Sequence, residues 1–559
     1  METTRRSYAR PVAAPVTTAA GVEPDVLLVG PYDPAFVEDA CLAPPLGVWR
    51  SAGVLGAAGA RVQVFDPNCC DEASRDALTK ILISQPWRLI AFSVTAATLR
   101  SDHALAQLAR RLCNGALIVA FGTEAALMAD TLLRLGAFDL VVLGQAERPL
   151  LEIADRFRQK VSIRDVPVPG TAWIDASGQL HRRSQPAPDR QAFRDATFLT
   201  PYARMPLRRY WDRLTDAYKL HDLPVRAERD ARLAEVQAVR IDTLAAGPGG
   251  TMGPSGTIGA IGTGCACSPA GRLNEALNTG ARATRLEADE CVSMVAGIVS
   301  ALPDVRTIVF EDDVFVFTSD QRVRPLCEGL MAAKRAGDIP AELQFISRNR
   351  IDSMDESRLA LLKRAGFRIL EFGVDSFSRD MLLELEKEHI WESIAPNLQA
   401  ALKLGITPFL DLLLTTPQCS MKDVAFNVTT AFKWLQHGCE ARLSPYIVNP
   451  TSIELDEPEK ILPIDPSVHR AVLEIERTFV ECLTMVEAEV ARLPSRVRSV
   501  LWIACAIPVL TARGEAVPGL NTAVRAFVSR LPVPAARASK LAAVLTGMIG
   551  GARSLSQVR

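Results

Sequence analysis

The sequence predicts an α/β fold made of two successive units and a helical C-terminal region. Three observations predict it: short apolar strands alternate with amphipathic helices at 24–160, the same alternation returns at 256–455, and residues 456–559 show mainly helical spacing. Strands that alternate with helices are typical of parallel sheets. We therefore expect a doubly wound, Rossmann- or flavodoxin-like sheet, followed by a partial (β/α)6 barrel of the TIM type. Residues 1–23 are expected to form a flexible tail, and residues 161–255 a connector.

The bulk composition is typical of a globular protein that stays in water. The 559 residues allow several full-sized cores, and 48% hydrophobic and 23% charged residues are ordinary proportions. A net charge of −1 indicates neither a nucleic-acid partner nor a membrane surface. The apolar runs are too short to span a bilayer, and the first residues lack the continuous apolar run of a secretory signal. Twelve scattered cysteines do not suggest a disulfide scaffold, so we expect a cytoplasmic protein.

The first unit is predicted to contain five strands, each followed by a helix. The strands are expected at 25–30, 60–66, 89–93, 116–121 and 138–143. The helices are expected at 44–58, 72–84, 101–112, 124–135 and from residue 147 onward. In a doubly wound sheet a ligand lies beyond the carboxyl ends of the strands, so the loops at those ends are the candidate site.

These strand-end loops are rich in small and hydroxylated residues, which let a flat ligand approach the backbone closely. The candidate residues are Ser93, Thr95, Gly122, Thr123, Gly144, Gln145 and Glu147. Ordinary strand-to-helix turns and helix N-caps use the same residue types. Composition alone leaves both interpretations open.

The connector is expected to begin with a small hairpin at 166–178 and to continue as a charged, helix-prone stretch at 204–244. The glycine-rich stretch at 247–256 predicts a mobile linker. A phosphate-binding loop is the other interpretation of these glycines, but the Gly-Lys-Ser/Thr that would complete it is missing.

The second unit is predicted to contain about six strand–helix repeats. Its strands are expected at 257–264, 306–313, 342–347, 368–374, 408–414 and 442–447. Its helices are expected at 285–302, 321–336, 356–365, 380–388, 391–404 and 421–437. The second of these strands ends in the acidic run Glu311, Asp312 and Asp313. Such a run marks either a polar site at the barrel mouth or a solvated turn.

The C-terminal region is expected to be helical at 466–491, 497–510, 523–531 and 535–547. A helical cap over the barrel is the simpler interpretation of these helices. A substrate lid or a surface that docks a partner is the alternative.

Several stretches resemble the cobalamin-binding radical S-adenosylmethionine superfamily. In the first unit these are residues 44–47, the loop at 92–93 and residues 144–149, where Gln145 departs from the usual Gly-Glu-x-Glu. In the second unit they are 310–313, 348–352, 362–366 and 371–376, with Lys387 and shorter matches at 405–406, 416–417 and 450–451. The histidine motif of methionine-synthase-type cobalamin sites is missing from the first unit, as it is in this superfamily.

The resemblance implies two cofactors. Cobalamin is expected at the seven strand-end residues of the first unit. S-adenosylmethionine is expected at Asp312, Asp313, Arg348, Glu371 and Asp375, where Asp375 stands in a position that the superfamily often fills with Glu.

The resemblance departs from the superfamily at the iron–sulfur cluster. Members hold a 4Fe–4S cluster with three cysteines spaced C-x3-C-x2-C, and thiolates are the usual ligands of such clusters. Here Cys265 and Cys267 are separated by one residue, and no register supplies a third cysteine. We therefore expect the cluster to be lost, with both cysteines as small apolar side chains. A degenerate metal site at these two cysteines is the alternative.

Three functions remain open at this stage. The first is methyl transfer or related chemistry on a small-molecule substrate, possible without a radical but dependent on a reductant or partner enzyme. The second is a non-catalytic relative that binds cobalamin or a partner protein. The third is a cluster-free barrel enzyme that uses the carboxylates at Glu311–Asp313.

Overall fold

The computed structural model describes most of the chain. The described residues are 26–32, 43–70, 72–95, 98–159, 168–183, 190–223, 225–245, 284–312, 315–316, 321–385, 387–444, 465–489, 492–515, 517 and 519–528. Two large sheets account for their architecture, with seven and six strands. The predicted α/β fold class is confirmed.

The first sheet begins with five parallel strands and ends with an antiparallel hairpin. Its strands are β1 (Val26–Val29), β2 (Val62–Phe65), β3 (Leu89–Ser93), β4 (Leu117–Phe121), β5 (Leu140–Val142), β6 (Thr171–Ile174) and β7 (Leu180–Arg183). Their order is β2-β1-β3-β4-β5-β6-β7. The chain therefore reverses its direction of winding at β1 and β3, and in sheets of this kind that switch point is where a ligand binds.

Helices cover both faces of the first sheet, which explains why its strands are apolar on both sides. Leu27 and Val29 of β1 belong to one buried cluster, while Val26 and Leu28 belong to another. The covering helices are Leu46–Ala57, Ser74–Ile83, Leu99–Leu112, Thr123–Leu127, Ala129–Arg134 and Glu147–Gln159.

The hairpin expected at 166–178 is present as β6 and β7, which pair antiparallel. It adds to the edge of the first sheet beside β5 instead of standing between the two units. Beyond it the chain forms the helices Arg190–Phe198, Leu207–Ala217 and Arg226–Val236.

The second sheet is parallel throughout, in the order β15-β14-β13-β12-β11-β8. Its strands are β8 (Ala238–Ile241), β11 (Thr307–Phe310), β12 (Gln344–Asn349), β13 (Phe367–Asp375), β14 (Thr407–Leu413) and β15 (Glu440–Ser444). All six strands lie in chain order with a helix between neighbours, as in a series of β/α repeats. A separate antiparallel pair joins β9 (Leu244–Ala245) to β10 (Thr284–Arg285).

The first strand of this sheet differs from the prediction. The strand expected at 257–264 lies outside the described residues, and the place beside β11 is taken by Ala238–Ile241. The second unit therefore starts before the predicted boundary at 256. The sequence obscures this strand because it is four residues long, contains Arg240, and directly follows a charged helix.

The remaining helices follow the predicted order with shifted ends. They are Ala288–Ala301, Val323–Ala336, Glu356–Ala365, Arg379–Glu384, Trp391–Lys403, Met421–His437, Pro466–Glu489, Ser495–Ala512 and Leu520–Val528. Gly366 closes one of them with φ of 113°, a left-handed cap that favours glycine. Ser495–Ala512 is long and apolar enough to cross a membrane, but 67% of it is buried within the protein, as in a core helix. The helix expected at 535–547 lies outside the described residues.

Candidate functional site

The carboxyl edge of the first sheet brings several predicted residues together. The loop after β3 touches the loop after β4: a side chain at Gly122 would place its Cβ 3.3 Å from the Val94 carbonyl and 3.8 Å from Ser93 Oγ. Gly122 has φ of 116° and Gly144, after β5, has φ of 101°. Both loops need glycine for their backbone shape, which keeps this edge free of bulky side chains.

A buried polar cluster lies at the switch point. The Asp102 carboxylate accepts hydrogen bonds from the Tyr32 amide at 2.7 Å and from the Thr98 hydroxyl, whose oxygen lies 2.7 Å from that of Thr95. Burial raises the pKa of Asp102 well above its usual value. The predicted residue Thr95 is therefore part of a network that shapes the edge from within, and its contact with a corrin ring stays a prediction.

Glu147 has a structural partner. It opens the helix Glu147–Gln159 and is 8% exposed, and its carboxylate forms an ion pair with the Nε of Arg50. Gln145 and Gly144 lie in the loop before it, and Thr123 opens the helix after β4. Contact of these residues with cobalamin stays a prediction.

Arg50 also joins the two sheets. Its Nη1 lies 2.9 Å from Oδ2 of Asp242, the residue that directly follows β8. Burial alone would lower the pKa of Arg50, but the charges of Glu147 and Asp242 outweigh it and raise the pKa above the usual value. Burial raises the pKa of Asp242 to about 7, against the opposing effect of Arg50. We call Glu147, Arg50 and Asp242 the inter-sheet triad.

A row of charges crosses the second sheet, with one residue in or next to each strand. The charged row consists of Arg240, Glu311, Arg348, Glu371, Asp411 and Arg442. Along the strands its members alternate with fully buried apolar residues, such as Phe310 and Phe372, so the row occupies the opposite face.

Ion pairs link the members of the row. Arg240 Nη1 lies 3.0 Å from Glu311 Oε1, and Arg348 Nη1 lies 3.5 Å from Glu311 Oε2. Arg348 Nε donates to Glu371 Oε2 at 2.8 Å, and Arg442 Nε lies 3.2 Å from Asp411 Oδ1. The row therefore alternates sign from β8 to β13 and then continues as an acid–base pair.

The pKa values within the row follow from these contacts. Burial would lower the pKa of Arg348, but Glu311 and Glu371 outweigh it and hold the pKa above its usual value. Burial would raise the pKa of Glu371, but Arg348 and Arg442 lower it overall. Burial raises the pKa of Asp411, and the nearby charge of Glu371 adds to this. Arg348 and Glu371 are thus held in their charged forms.

Oε2 of Glu311 and Nη1 of Arg348 are among the buried polar atoms of the row that form no hydrogen bond with the residues that the structure describes. They lie 3.5 Å from each other, which is an ion-pair contact and not a hydrogen bond. Buried polar atoms in proteins are nearly always hydrogen-bonded, so the acceptor of Glu311 and the donor of Arg348 are suited to a polar guest. The side chains of Arg240, Arg348 and Glu371 keep 18–20% of their surface exposed, so the face is reachable from solvent.

Asp312 lies at the same strand end but is 2% exposed. Its carboxylate accepts from the Thr243 amide at 2.7 Å and from the Thr243 hydroxyl. Thr243 also accepts from Arg322 at 3.1 Å. Asp312 therefore ties the end of β11 to the chain after β8. Asp313 lies outside the described residues.

Asp375 ends β13 in a left-handed conformation with φ of 58°, which few residues other than glycine adopt. The strand pairing shifts register here, between Gly373 and Asp375. The side chain is 7% exposed and forms an ion pair with Lys387. Backbone strain of this kind gathers at functional sites, which favours the predicted role of Asp375 in a pocket.

Cys265 and Cys267 lie outside the described residues, in the segment 246–283. The short strand β9 closely follows β8 and lies at the start of this segment, and β10 lies at its end. The two strands pair with each other. In the described part of the chain, no group of three or more His, Cys, Asp or Glu residues could hold a metal ion. Burial raises the pKa of the described Cys291 thiol to about 12, which keeps it protonated.

Sequence reasoning missed Arg50, Asp242, Arg240, Asp411 and Arg442. Four short strand segments nevertheless contain a signal for the row: Val-Arg-Ile, Leu-Glu-Phe, Leu-Asp-Leu and Ala-Arg-Leu each place one charge between apolar residues. A single charge at alternate positions of a buried strand indicates a polar face within an otherwise apolar sheet.

No protein-family model matches the sequence. The chain is 24% identical over 131 residues to the heme chaperone HemW of Bacillus subtilis (strain 168), a match that spans 23% of this chain and 34% of HemW. Among solved structures, the cobalamin-dependent S-adenosylmethionine radical enzyme OxsB with aqua-cobalamin superposes with a TM-score of 0.62 and 11% identity. That superposition covers 94% of this chain and 80% of OxsB.

A second solved structure is the radical S-adenosylmethionine methyltransferase TsrM from Kitasatospora setae, with tryptophan and an S-adenosylmethionine analogue bound. It superposes with a TM-score of 0.57 and 16% identity, over 78% of this chain and 76% of TsrM. The chain has the fold of these two enzymes. At such low identity the likeness concerns the fold alone.

Proposed function

We propose that the protein binds cobalamin at the carboxyl edge of the first sheet and S-adenosylmethionine at the charged face of the second, and that it transfers a methyl group, or carries out related chemistry, on a small-molecule substrate. The observation that carries this proposal is the inter-sheet triad. Arg50 follows β1, Glu147 follows β5 and Asp242 follows β8, so the ligand-binding edges of both sheets are joined at one point. Two ligands bound at these edges would be neighbours.

The residues of the first edge fit a corrin ring. Gly122 and Gly144 leave the backbone open to a flat ligand, and the strand order places the switch point between β1 and β3. The loops after β1, β3, β4 and β5, at 30–32, 93–95, 122–124 and 143–147, contain no histidine, so these stretches would hold cobalamin without an imidazole ligand to the metal. The Thr95–Thr98–Asp102 network holds the β3 loop in place.

The residues of the second edge fit a charged nucleoside donor. Glu311 and Arg348 each offer a polar atom that lacks a hydrogen-bond partner in the described structure, and Asp375 and Lys387 form a second ion pair at the same edge. Bound cobalamin would supply a metal centre that carries a one-carbon group, and S-adenosylmethionine would supply the methyl group. The chain's own contribution is to orient the two ligands and to keep their charges paired.

We further propose that the 4Fe–4S cluster has been lost. The support is the spacing of Cys265 and Cys267, which leaves at least one of the three usual thiolate positions without a cysteine in every register. OxsB and TsrM are cobalamin-dependent or cobalamin-bound radical enzymes, and TsrM is described with a cluster. Loss of the cluster would therefore separate this chain from TsrM, and any electrons needed would come from a partner or a chemical reductant.

The carboxylate-based alternative has weaker support. Asp312 is bonded to Thr243, and Glu311 is paired with two arginines. A general base needs a carboxylate that can reach a substrate proton, and these two are held by the protein itself. The non-catalytic alternative predicts cofactor binding without turnover, and an assay separates it from methyl transfer.

The test is a paired measurement on the full chain purified anaerobically after expression with cobalamin. We expect a bound-corrinoid absorbance spectrum and far fewer than about four irons per chain, the number that one 4Fe–4S centre requires. Four irons that disappear in the Cys265→Ala protein would contradict cluster loss, and a protein that never retains corrinoid would contradict the cobalamin site. Transfer of label from methyl-labelled S-adenosylmethionine, with and without reductant, then distinguishes an enzyme from a non-catalytic binding protein.

A further inference from the structure

We infer that the charged row of the second sheet binds the zwitterionic head group of an α-amino acid, with its ammonium on Glu311 and its carboxylate on Arg348. This inference deepens the proposed function and rests on it where the amino acid is the tail of S-adenosylmethionine. A free amino-acid substrate carries the same head group and is the other source of this chemistry.

The charge balance of the row favours a zwitterion. Its three cations, Arg240, Arg348 and Arg442, face three anions, Glu311, Glu371 and Asp411. A guest with a net charge would leave one charge in this half-buried layer without compensation, which is costly. A zwitterion adds one charge of each sign and leaves the balance unchanged.

The two atoms that form an ion-pair contact but no hydrogen bond have the required chemistry. Oε2 of Glu311 is an acceptor on a side chain that is 7% exposed, and Nη1 of Arg348 is a donor. The two atoms are 3.5 Å apart, and the ammonium and carboxylate of an amino acid are attached to the same carbon. Neighbouring acceptor and donor atoms therefore match neighbouring cationic and anionic groups, and both contacts would be charge-assisted hydrogen bonds.

The other atoms of both side chains are already fixed. Oε1 of Glu311 pairs with Arg240 at 3.0 Å, and Nε of Arg348 donates to Glu371 at 2.8 Å. These contacts orient the carboxylate and the guanidinium before a ligand arrives, which lowers the entropy lost on binding. If the donor binds here, the row would anchor its amino-acid tail.

The experiment compares ligands that differ only in the head group. Binding of S-adenosylmethionine and 5′-methylthioadenosine is measured by calorimetry on the full chain, as is binding of L-tryptophan and tryptamine, since TsrM is known with tryptophan. Glu311→Gln and Arg348→Met should each weaken the binding of S-adenosylmethionine or of L-tryptophan about ten-fold or more, the loss expected for one charge-assisted hydrogen bond. The matching ligand without the head group, 5′-methylthioadenosine or tryptamine, should bind as before.

The control is the pair Glu487 and Arg498, which is ion-paired at 3.1 Å between two C-terminal helices, with the arginine about as exposed as Arg348 and the glutamate more exposed than Glu311. Glu487→Gln and Arg498→Met should leave all four affinities unchanged. Arg348→Lys, which keeps the charge but loses the forked geometry, replaces Arg348→Met if that variant does not fold.

The outcomes separate cleanly. A variant effect confined to S-adenosylmethionine assigns the row to the donor, and one confined to tryptophan assigns it to the substrate. If neither nucleoside binds but tryptophan binding depends on Glu311, the head-group inference stands while the proposed S-adenosylmethionine site fails. If the variants change neither pair, the row is an internal, water-bridged ion-pair network and the inference is wrong.

Discussion

The guanidinium of Arg50 lies 2.9 Å from the carboxylate of Asp242, although the two residues are 192 positions apart in the chain. Arg50 follows the first strand of one sheet and Asp242 follows the first strand of the other. Their side chains are only 6% and 5% exposed. A buried ion pair therefore joins the carboxyl edges of the two sheets, and the proposed pairing of two cofactors depends on it.

We expect Arg50→Met to destabilise the protein strongly. Removing the guanidinium leaves Glu147 and Asp242 buried without a positive charge, and breaking such a pair typically costs about 3–5 kcal/mol. The measurement is the midpoint of chemical unfolding followed by circular dichroism. Arg134→Met is the control, since Arg134 pairs with Asp130 on an exposed helix face and such pairs contribute only about 0.3–0.5 kcal/mol. Equal shifts in the two variants would contradict a structural role for the triad.

A contact between the end of β2 and the helix Leu207–Ala217 should make stability depend on pH. Tyr210 donates its hydroxyl to both carboxylate oxygens of Asp66, at 3.1 and 3.0 Å. Burial raises the pKa of Asp66 to about 6, from an ordinary value of 3.8. A raised pKa means that the folded protein holds the proton more tightly than the unfolded chain, so this contribution to stability is present below pH 4 and is lost as the pH rises through 6.

Asp66→Asn should remove this pH dependence, because the amide keeps an acceptor for Tyr210 and the Asn68 amide but does not ionise. We expect the melting temperature of the variant relative to the native protein to rise between pH 4.5 and pH 7. Tyr210→Phe is the opposite control, since loss of the hydroxyl should raise the pKa of Asp66 further and move the transition to higher pH. A pH-independent difference between native protein and Asp66→Asn would show that Asp66 does not titrate in this range.

The sequence predicts the regular parts of the fold well because the signals there are local. The strand Phe367–Asp375 follows a left-handed Gly366 cap and contains an apolar run, so both its start and its type are visible in the sequence. β8 was missed since it has four residues, and the pairing with β11 that stabilises it is formed with residues about 70 positions away.

The candidate site was predictable where a residue type marks a strand end and not where it depends on a distant partner. Gly122 and Asp375 stand at strand ends and could be named in advance. Arg50 looks like an ordinary helix residue, and its role appears only when Asp242 is brought beside it. The ion-pair partner of Glu147, a residue whose contact with the ligand stays a prediction, is equally invisible in the sequence.

Gly122→Ala should impair both stability and corrinoid retention. The φ of 116° is strained for any residue with a Cβ, and that Cβ would lie 3.3 Å from the Val94 carbonyl. Strain of this kind costs about 1–3 kcal/mol. The measurements are the thermal midpoint and the corrinoid absorbance retained after gel filtration.

Gly136→Ala is the matched control. Gly136 has φ of 75°, and an added Cβ would meet nothing within 4 Å. It should show a smaller loss of stability and unchanged corrinoid retention. If Gly122→Ala retains corrinoid as well as this control does, the edge between β3 and β4 is not the cobalamin site.

Substitutions at Asp375 separate the effect of its left-handed backbone on stability from the effect of its charge on ligand binding. Asparagine tolerates the left-handed conformation, whereas alanine there costs about 1–2 kcal/mol, and both substitutions remove the ion pair with Lys387. We expect Asp375→Ala to be less stable than Asp375→Asn by about 1 kcal/mol, and Asp375→Gly to recover that difference. All three should weaken S-adenosylmethionine binding to a similar extent, since each lacks the carboxylate.

Lys219→Gly is the control, because Lys219 has φ of 47° and is the other left-handed residue besides glycine in the described chain. It should gain a little stability and leave ligand binding unchanged, and equal stability of the alanine and asparagine variants at Asp375 would show that the charge alone, and not the backbone, selects aspartate at the end of β13.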